Sequence, residues 1–400
     1  MTAQTNEQTL GQVLRFQLKN NFRQYAMFFV LVAIWGILTI ATGGVFIQGR
    51  NLTNLLLQSS FIATLAVGMV LVIVAGHIDL SVGSIAGFIG GVAAILNVHY
   101  EWNALIVIVV ALGLGIVIGL WQGYWIAYQG IPAFIVTLAG MTIFRGLLLA
   151  VTRGETIAPI DETFAAIGGG YLPRLFLNVG ERNGFHDLTA ILVVVAILAF
   201  VISSIRTRRR RIEYGFSVLP QRVEILKLVG GSLLITLFAL PVMTYRGLPY
   251  SILILLILVL GYTFLTNNTV FGRHVYAMGG NKEAARLSGI NIRKKTLMIF
   301  VSMGFLSAVS GLIFTARLKS ATASAGNLFE LDTIAATIIG GTSTLGGEGT
   351  VFGAIIGALL MSSITNGMQI MNVPTEWQMV VRGLVLLLAV WYDVSMRTKK

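Results

Sequence analysis

The residues with the most chemical capacity lie in three short segments of an otherwise apolar chain. The first is the turn His77-Ile-Asp79-Leu-Ser81, followed by Ser84. The second is Gly340-Gly-Thr342-Ser343-Thr-Leu-Gly-Gly347. Each leads into a run with glycine every fourth residue, Gly83, Gly87 and Gly91 after the first and Gly349, Gly353 and Gly357 after the second. Glycines at that spacing form one smooth helix stripe that lets a neighbouring helix approach closely. Asp79 stands two residues ahead of its glycine helix. It therefore reads either as a cap for that helix's free N–H groups or as a group at a gate. The third segment runs Gly279-Gly280-Asn281-Lys282-Glu283-Ala284-Ala285-Arg286-Leu287-Ser288-Gly289. Asn281 is a good N-cap, Glu283 suits the positive end of a helix, Arg286 the negative end, and Gly289 a left-handed stop. A two-turn helix over 282–288 is predicted, with Ala284 and Ala285 as its smooth exposed face; Gly280 and Gly289 are expected to resist substitution if their backbones take φ > 0. It reads as a docking knob, against the alternative of a plain connecting loop.

Several chemistries lack their residues. There is no G-x-x-x-x-G-K-[ST] phosphate loop, no H-E-x-x-H and no G-x-S-x-G. Cysteine is absent and there are only 4 histidines, so no thiol, disulfide or clustered-ligand metal chemistry is expected. The ionisable residues expected inside spans are His77, Asp79, Arg145 and Arg382. An ion-coupled transporter needs a carboxylate relay, and this set is thin for one. Arg145 and Arg382 are expected to snorkel or to pair with Glu330, Asp332 or Glu376.

The elements that must hold these segments are membrane helices. Of 400 residues, 56% are hydrophobic and 11% charged, with mean hydropathy +0.84. A soluble domain carries about 25% charged residues. Taking about 20 residues per span, we predict an all-α polytopic membrane protein. About twelve segments fall near 26–43, 52–75, 82–97, 104–127, 132–151, 188–205, 228–245, 250–267, 296–317, 331–342, 350–370 and 377–394. Two are too short to be simple spans, and Gly230, Gly231 and Pro241 interrupt the seventh. The first apolar run, Met27–Ala41, is expected to be retained and not cleaved as a signal peptide.

Charge sets the orientation. The chain carries 28 Lys and Arg against 16 Asp and Glu. With a cytoplasmic N-terminus, basic clusters fall inside: Arg15, Lys19 and Arg23; Arg206, the run 208–211, Arg222 and Lys227; Arg273, Lys282, Arg286 and 293–295; Arg397, Lys399 and Lys400. Glu155, Asp161, Glu162, Glu181 and Asp187 fall in one outer loop, 152–187. The expected organisation is an amphipathic cytoplasmic segment 1–25, a transmembrane domain 26–395 with a cytoplasmic loop 268–295, and a cytoplasmic tail 396–400. Leu10, Leu14, Leu18 and Phe22 give segment 1–25 an apolar stripe. It reads as an interfacial helix or as a solvated tail. The arginine run reads as a stop signal, with nucleic-acid or anionic-lipid binding as the minor reading. Both glycine helices start from the cytoplasmic side in this threading. Each is approached through a Gly/Asn-Leu sequence, 49–52 and 326–328, which suggests a weak parallel internal repeat; chance spacing in a chain with 45 glycines is the rival.

At these residues the chain resembles the permease subunits of bacterial monosaccharide ABC importers. The resemblance is carried by Ile73-Val-Ala-Gly-His-Ile-Asp-Leu-Ser-Val-Gly-Ser84, Ile131-Pro-Ala-Phe-Ile-Val-Thr-Leu-Ala-Gly140, Tyr276-Ala-Met-Gly-Gly-Asn281, Ala284-Ala-Arg-Leu-Ser-Gly-Ile-Asn291 and Ile338-Ile-Gly-Gly-Thr-Ser343. It covers about 20–395. It is nearest the xylose and multiple-monosaccharide branch, through the extra segments 188–205 and 228–245 and the phrase Tyr245-Arg-Gly-Leu-Pro249. The resemblance implies a bacterial inner-membrane protein with both termini cytoplasmic and no catalysis of its own. Its implied partners are a second permease copy, a cytoplasmic ATPase subunit that holds ATP and Mg, a periplasmic sugar-binding protein and membrane lipid, with no nucleic acid. Residues 279–289 would be the coupling helix. Asp79, Ser81, Ser84, Thr342 and Ser343 become candidates for transient hydrogen bonds to sugar hydroxyls, unless they only satisfy their own turns. The alternatives are an ion-coupled secondary transporter of a small polar solute and a non-transporting scaffold or receptor.

Overall fold

The computed structural model describes residues 22–177, 184–216, 218 and 220–398. The expected amphipathic stripe of 1–25 lies almost wholly outside them. Fifteen helices are present among the described residues: α1 Phe22–Ala41, α2 Gly49–Val74, α3 Val82–Val98, α4 Ala104–Ala127, α5 Ala133–Thr152, α6 Glu162–Gly169, α7 Asp187–Glu213, α8 Gln221–Met243, α9 Tyr250–Asn268, α10 Val270–Gly280, α11 Lys282–Leu287, α12 Ile292–Leu318, α13 Phe329–Ile339, α14 Val351–Ile370 and α15 Thr375–Thr398. No sheet occurs among the described residues; Ile157 and Ala321 form one isolated antiparallel bridge. Among the described residues nine helices are long and apolar enough to cross a membrane, and Met27–Ala41 and Val82–Val98 are shorter apolar helices. Every apolar segment expected from the sequence falls on a helix, and the expected short segment 331–342 is the 11-residue α13.

The chain divides into two compact units. The larger contains Val30–Phe46, Asn54–Gly170 and Pro249–Lys400. Its centre is α12, packed against α3, α4 and α6. Small residues make this possible. A Cβ on Gly115 would run into the carbonyl of Gly304, and one on Gly119 into that of Phe300, so α4 and α12 touch backbone to backbone. Both sequence-predicted glycine rows lie at such contacts. Gly83 and Gly87 abut the carbonyls of Gly326 and Ala325, and a Cβ on Gly91 would sit 2.7 Å from Leu148 Cδ1. Gly353 and Gly357 abut the carbonyls of Gly340 and Ala336, so α14 lies close on α13.

The smaller unit contains, of the described residues, 22–29, Ile47–Thr53 and Tyr171–Leu248. In it α7 and α8 pair. Val195, Leu198, Leu233 and Leu237 on this pair are each more than half exposed, an apolar surface of the kind that lipid covers without cost. Two expectations are corrected here. The span ending near 205 continues as helix through the arginines to Glu213, because arginine is a good helix former once the chain leaves the apolar layer. The segment expected to be interrupted is one unbroken helix: Gly231 is a packing site against the Phe200 ring, and Pro241 lies in the last turn.

The described parts of segment 152–187, expected to be an outer loop, carry structure of their own. Asp161 accepts the N–H of Thr163 at 3.0 Å and starts α6. Asp187 accepts backbone N–H groups of Leu175 at 3.0 Å, Leu177 at 3.0 Å and Phe176. Acidic residues read only as an outer-side charge bias are thus also structural ligands for loop backbone.

Candidate translocation and coupling site

Gly76, with φ +78°, turns the chain after α2 and opens the first break. Asp79 closes it: one carboxylate oxygen accepts the Ser81 N–H at 2.8 Å and the Ser81 hydroxyl at 2.6 Å. Asp79 therefore shapes the turn and does not cap α3. The N-cap is Ser81 itself, and no side chain bonds the first-turn N–H groups. Gln122 of α4 donates to Ser81 Oγ at 2.7 Å, tying the break to the bundle. Sequence reasoning missed Gln122; the available signal was a lone amide in an apolar span, where a polar group needs a partner.

Beside this triad lie polar atoms with no partner. Asp79 Oδ2, Ser84 Oγ and Glu330 Oε2 are buried without a hydrogen bond. Glu330 Oε2 touches the position that a side chain on Gly83 would take. Arg145 reaches the same region and donates to the Ala325 carbonyl at 2.7 Å; of the two expected roles, snorkelling or acid pairing, it forms no direct bond to an acid but lies in the field of Glu330. Arg382 of α15 does pair, with Asp332 of α13 at 3.2 Å.

The second break joins α13 to α14. The Ser343 N–H donates to the Glu348 carbonyl at 2.8 Å, and Ser343 Oγ accepts from Leu345 N at 3.1 Å, so this serine serves its own turn. Thr344 donates its N–H and hydroxyl to Asp393 at 3.1 and 3.0 Å. Thr342 is buried with its hydroxyl unpartnered.

The two breaks meet. Gly347 N–H donates to the Val74 carbonyl at 2.9 Å, joining the second break to the end of α2. Helix α10 is wedged against both: Tyr276 donates its hydroxyl to the Gly349 carbonyl at 2.7 Å, and Gly279 lies flat on the Val74 carbonyl. No motif predicted that junction; loop 268–295 was expected to hold one short helix, and it holds α10 as well.

Helix α11 follows at once. Asn281 caps it by accepting the Ala284 N–H at 2.9 Å, Arg286 and Glu283 pair at 2.9 Å, and Gly289 leaves it with φ +82°. Two expectations are overturned. Ala285 is 4% exposed and faces the bundle, whereas Leu287 is 82% exposed. A helix of under two turns has one inner and one outer face, and of the two alanines only Ala285 lies on the inner one, Ala284 being exposed. Gly280 is helical, with no positive φ and no neighbour within 4 Å of an added Cβ.

A family model described as branched-chain amino acid transport system / permease component matches residues 51–390. The chain is 42% identical over 386 residues to the xylose transport system permease protein of Haemophilus influenzae, covering 96% of this chain and 100% of that one. It is 43% identical over 380 residues to the xylose transport system permease protein of Escherichia coli, covering 95% and 93%. The ribose import permease protein of Haemophilus influenzae is 32% identical over 399 residues, covering 99% of each chain. No solved structure matches.

Proposed function

This chain belongs to the family described as branched-chain amino acid transport system / permease component, and from that premise we propose that it is the membrane pore of an ABC importer for a xylose-like pentose. The observation that carries the sugar is the greater full-length likeness to the xylose permeases than to the ribose permease. The chain is a multi-pass, non-catalytic subunit, and ATP hydrolysis belongs to a separate ATPase. Family membership removes the ion-coupled and scaffold alternatives.

In this reading two copies pair, a periplasmic binding protein delivers sugar, and ATPase subunits dock on α11 from the cytoplasm. The exposed Leu287 is the docking tip and Ala285 the packing face. A push on α11 passes directly into α10, which touches both breaks through Tyr276 and Gly279. Transport then re-aims the broken segments, whose alternative packings differ by only a few kcal/mol. The unpartnered oxygens of Asp79, Ser84 and Thr342 suit passing hydroxyls of a neutral sugar, while Ser81 and Ser343 hold the turns. The glycine row that follows each break supports the reading of a parallel repeat.

The test is xylose transport and sugar-stimulated ATP hydrolysis by the complex in proteoliposomes, with ribose as the comparison. Leu287→Asp should abolish stimulation and release the ATPase, because an apolar tip is replaced by a charge that must be desolvated. Retained stimulation at normal ATPase stoichiometry would move docking elsewhere; transport of ribose but not xylose would overturn the substrate.

The orientation has its own test. The native chain has no cysteine, and Thr207 is exposed on the basic end of α7. Thr207→Cys should react with an impermeant maleimide only from inverted vesicles. Labelling from intact cells would reverse the threading.

A further inference from the structure

A cavity of about 730 Å³ lies beside α11, walled by Lys282, Glu283 and Arg286 of that helix, the first break, the α4–α5 turn and the start of α12. Its charge is one-sided. Lys282, Arg286 and Arg293 line it against a single carboxylate, Glu283, which Arg286 already holds. Lys282 and Arg293 pair with no carboxylate among the described residues. His77 Nε2 is buried in the same wall without a partner. Helix α5 also begins here, and its N-cap, Pro132, supplies no capping side chain to the first-turn N–H groups. The opposite wall is apolar and open: Ile78 is 47% and Phe134 54% exposed. The site therefore suits an anion that carries an apolar body.

The depth of the cavity identifies the occupant. Ile126 and Ala127 of α4 line it, and immediately before and after them α4 displays Trp121, Tyr124, Trp125 and Tyr128, all 38–47% exposed. Exposed Trp and Tyr concentrate at the headgroup level of a bilayer. Basic pockets between helices at that level hold anionic headgroups.

We propose that this cavity binds the phosphate headgroup of one anionic phospholipid, with its acyl chains along Ile78 and Phe134. The lipid would wedge behind α11 and set how firmly that helix is held. Assigning the cavity to the cytoplasmic leaflet rests on the orientation proposed above, but the binding itself does not.

The experiment reads bound lipid and not transport, so its failure is separable from a failure of the sugar reading. The permease and its ATPase complex, purified from bilayers of mixed phosphatidylglycerol and phosphatidylcholine, are stripped in neutral detergent, and retained lipid is quantified by mass spectrometry. Wild-type protein should retain phosphatidylglycerol selectively. Arg293→Gln should lower retention about fivefold, the effect of one surface cation. Arg293→Lys should preserve it, which guards against a folding defect. Lys294→Gln removes the same charge from the next residue, outside the cavity, and should change retention less than twofold. Equal losses in the two Gln variants, or no selectivity in wild type, would overturn the proposal. Displacement of the lipid by inorganic phosphate alone would make the site one for free anions. Loss of lipid on ATPase assembly would assign the cavity to the ATPase instead.

Discussion

Gly279→Ala is expected to destroy coupling, while Gly280→Ala, one residue on in the same helix, is expected to be harmless. The added methyl at 279 would strike the Val74 carbonyl and lie 2.5 Å from the Gly347 amide nitrogen, the two groups whose hydrogen bond joins the breaks. Both obstacles are backbone, so no rotamer change relieves the clash. Overpacking of this kind costs about 1–3 kcal/mol or more, and here it falls on the contact through which the proposed coupling from α11 would pass. Sugar-stimulated ATP hydrolysis should fall roughly thirtyfold, the rate equivalent of the middle of that range. A methyl at 280 meets nothing within 4 Å, and alanine is the better helix former by about 1 kcal/mol. Equal activity of the two variants, assayed as purified complexes in lipid, would remove Gly279 from the coupling path.

Arg382→Leu is expected to be the most destabilising single change outside that junction. It strips Asp332 of its ion-pair partner at 3.2 Å, and the other Asp332 oxygen is already buried without a hydrogen bond. Breaking a fully buried pair from one side costs roughly 3–5 kcal/mol, which is the upper bound for this part-buried pair, whereas replacing both partners with apolar residues is often neutral. Membrane yield and thermal inactivation of purified permease should therefore show severe loss for Arg382→Leu and recovery for Asp332→Leu combined with Arg382→Leu. A double variant as unstable as the single would mean that the pair contributes packing and not charge compensation.

These outcomes also mark what was legible in residue order. Periodic signals were readable because they are local. Apolar run length placed the helices, and glycine at every fourth residue marked the close contacts of α3 and α14. Asn281, Glu283, Arg286 and Gly289 announced a capped helix because capping involves residues only a few positions apart. The same locality misled where two local signals competed. Asp79 stands where a cap would stand, but the nearest donors were those of Ser81, which turned it into a turn-former. Gly280 stood beside the cap as a candidate for positive φ and is helical, because the chain turns left-handed only after α11, at Gly289.

What the sequence determined by itself is the class of molecule: its composition forbids a soluble surface, its charge bias proposes an orientation, and its motifs carry the likeness to a family of import permeases. Tertiary structure alone decided which partners those motifs meet. Gln122 reaches Ser81 across 41 positions and Tyr276 reaches Gly349 across 73. Arg382 chose Asp332 over Glu330, and Ala285 turned inward while Leu287 turned out. The physical reason is the same in each case. A hydrogen bond or a packing contact depends on distance in space, and one sequence read alone reports only distance along the chain.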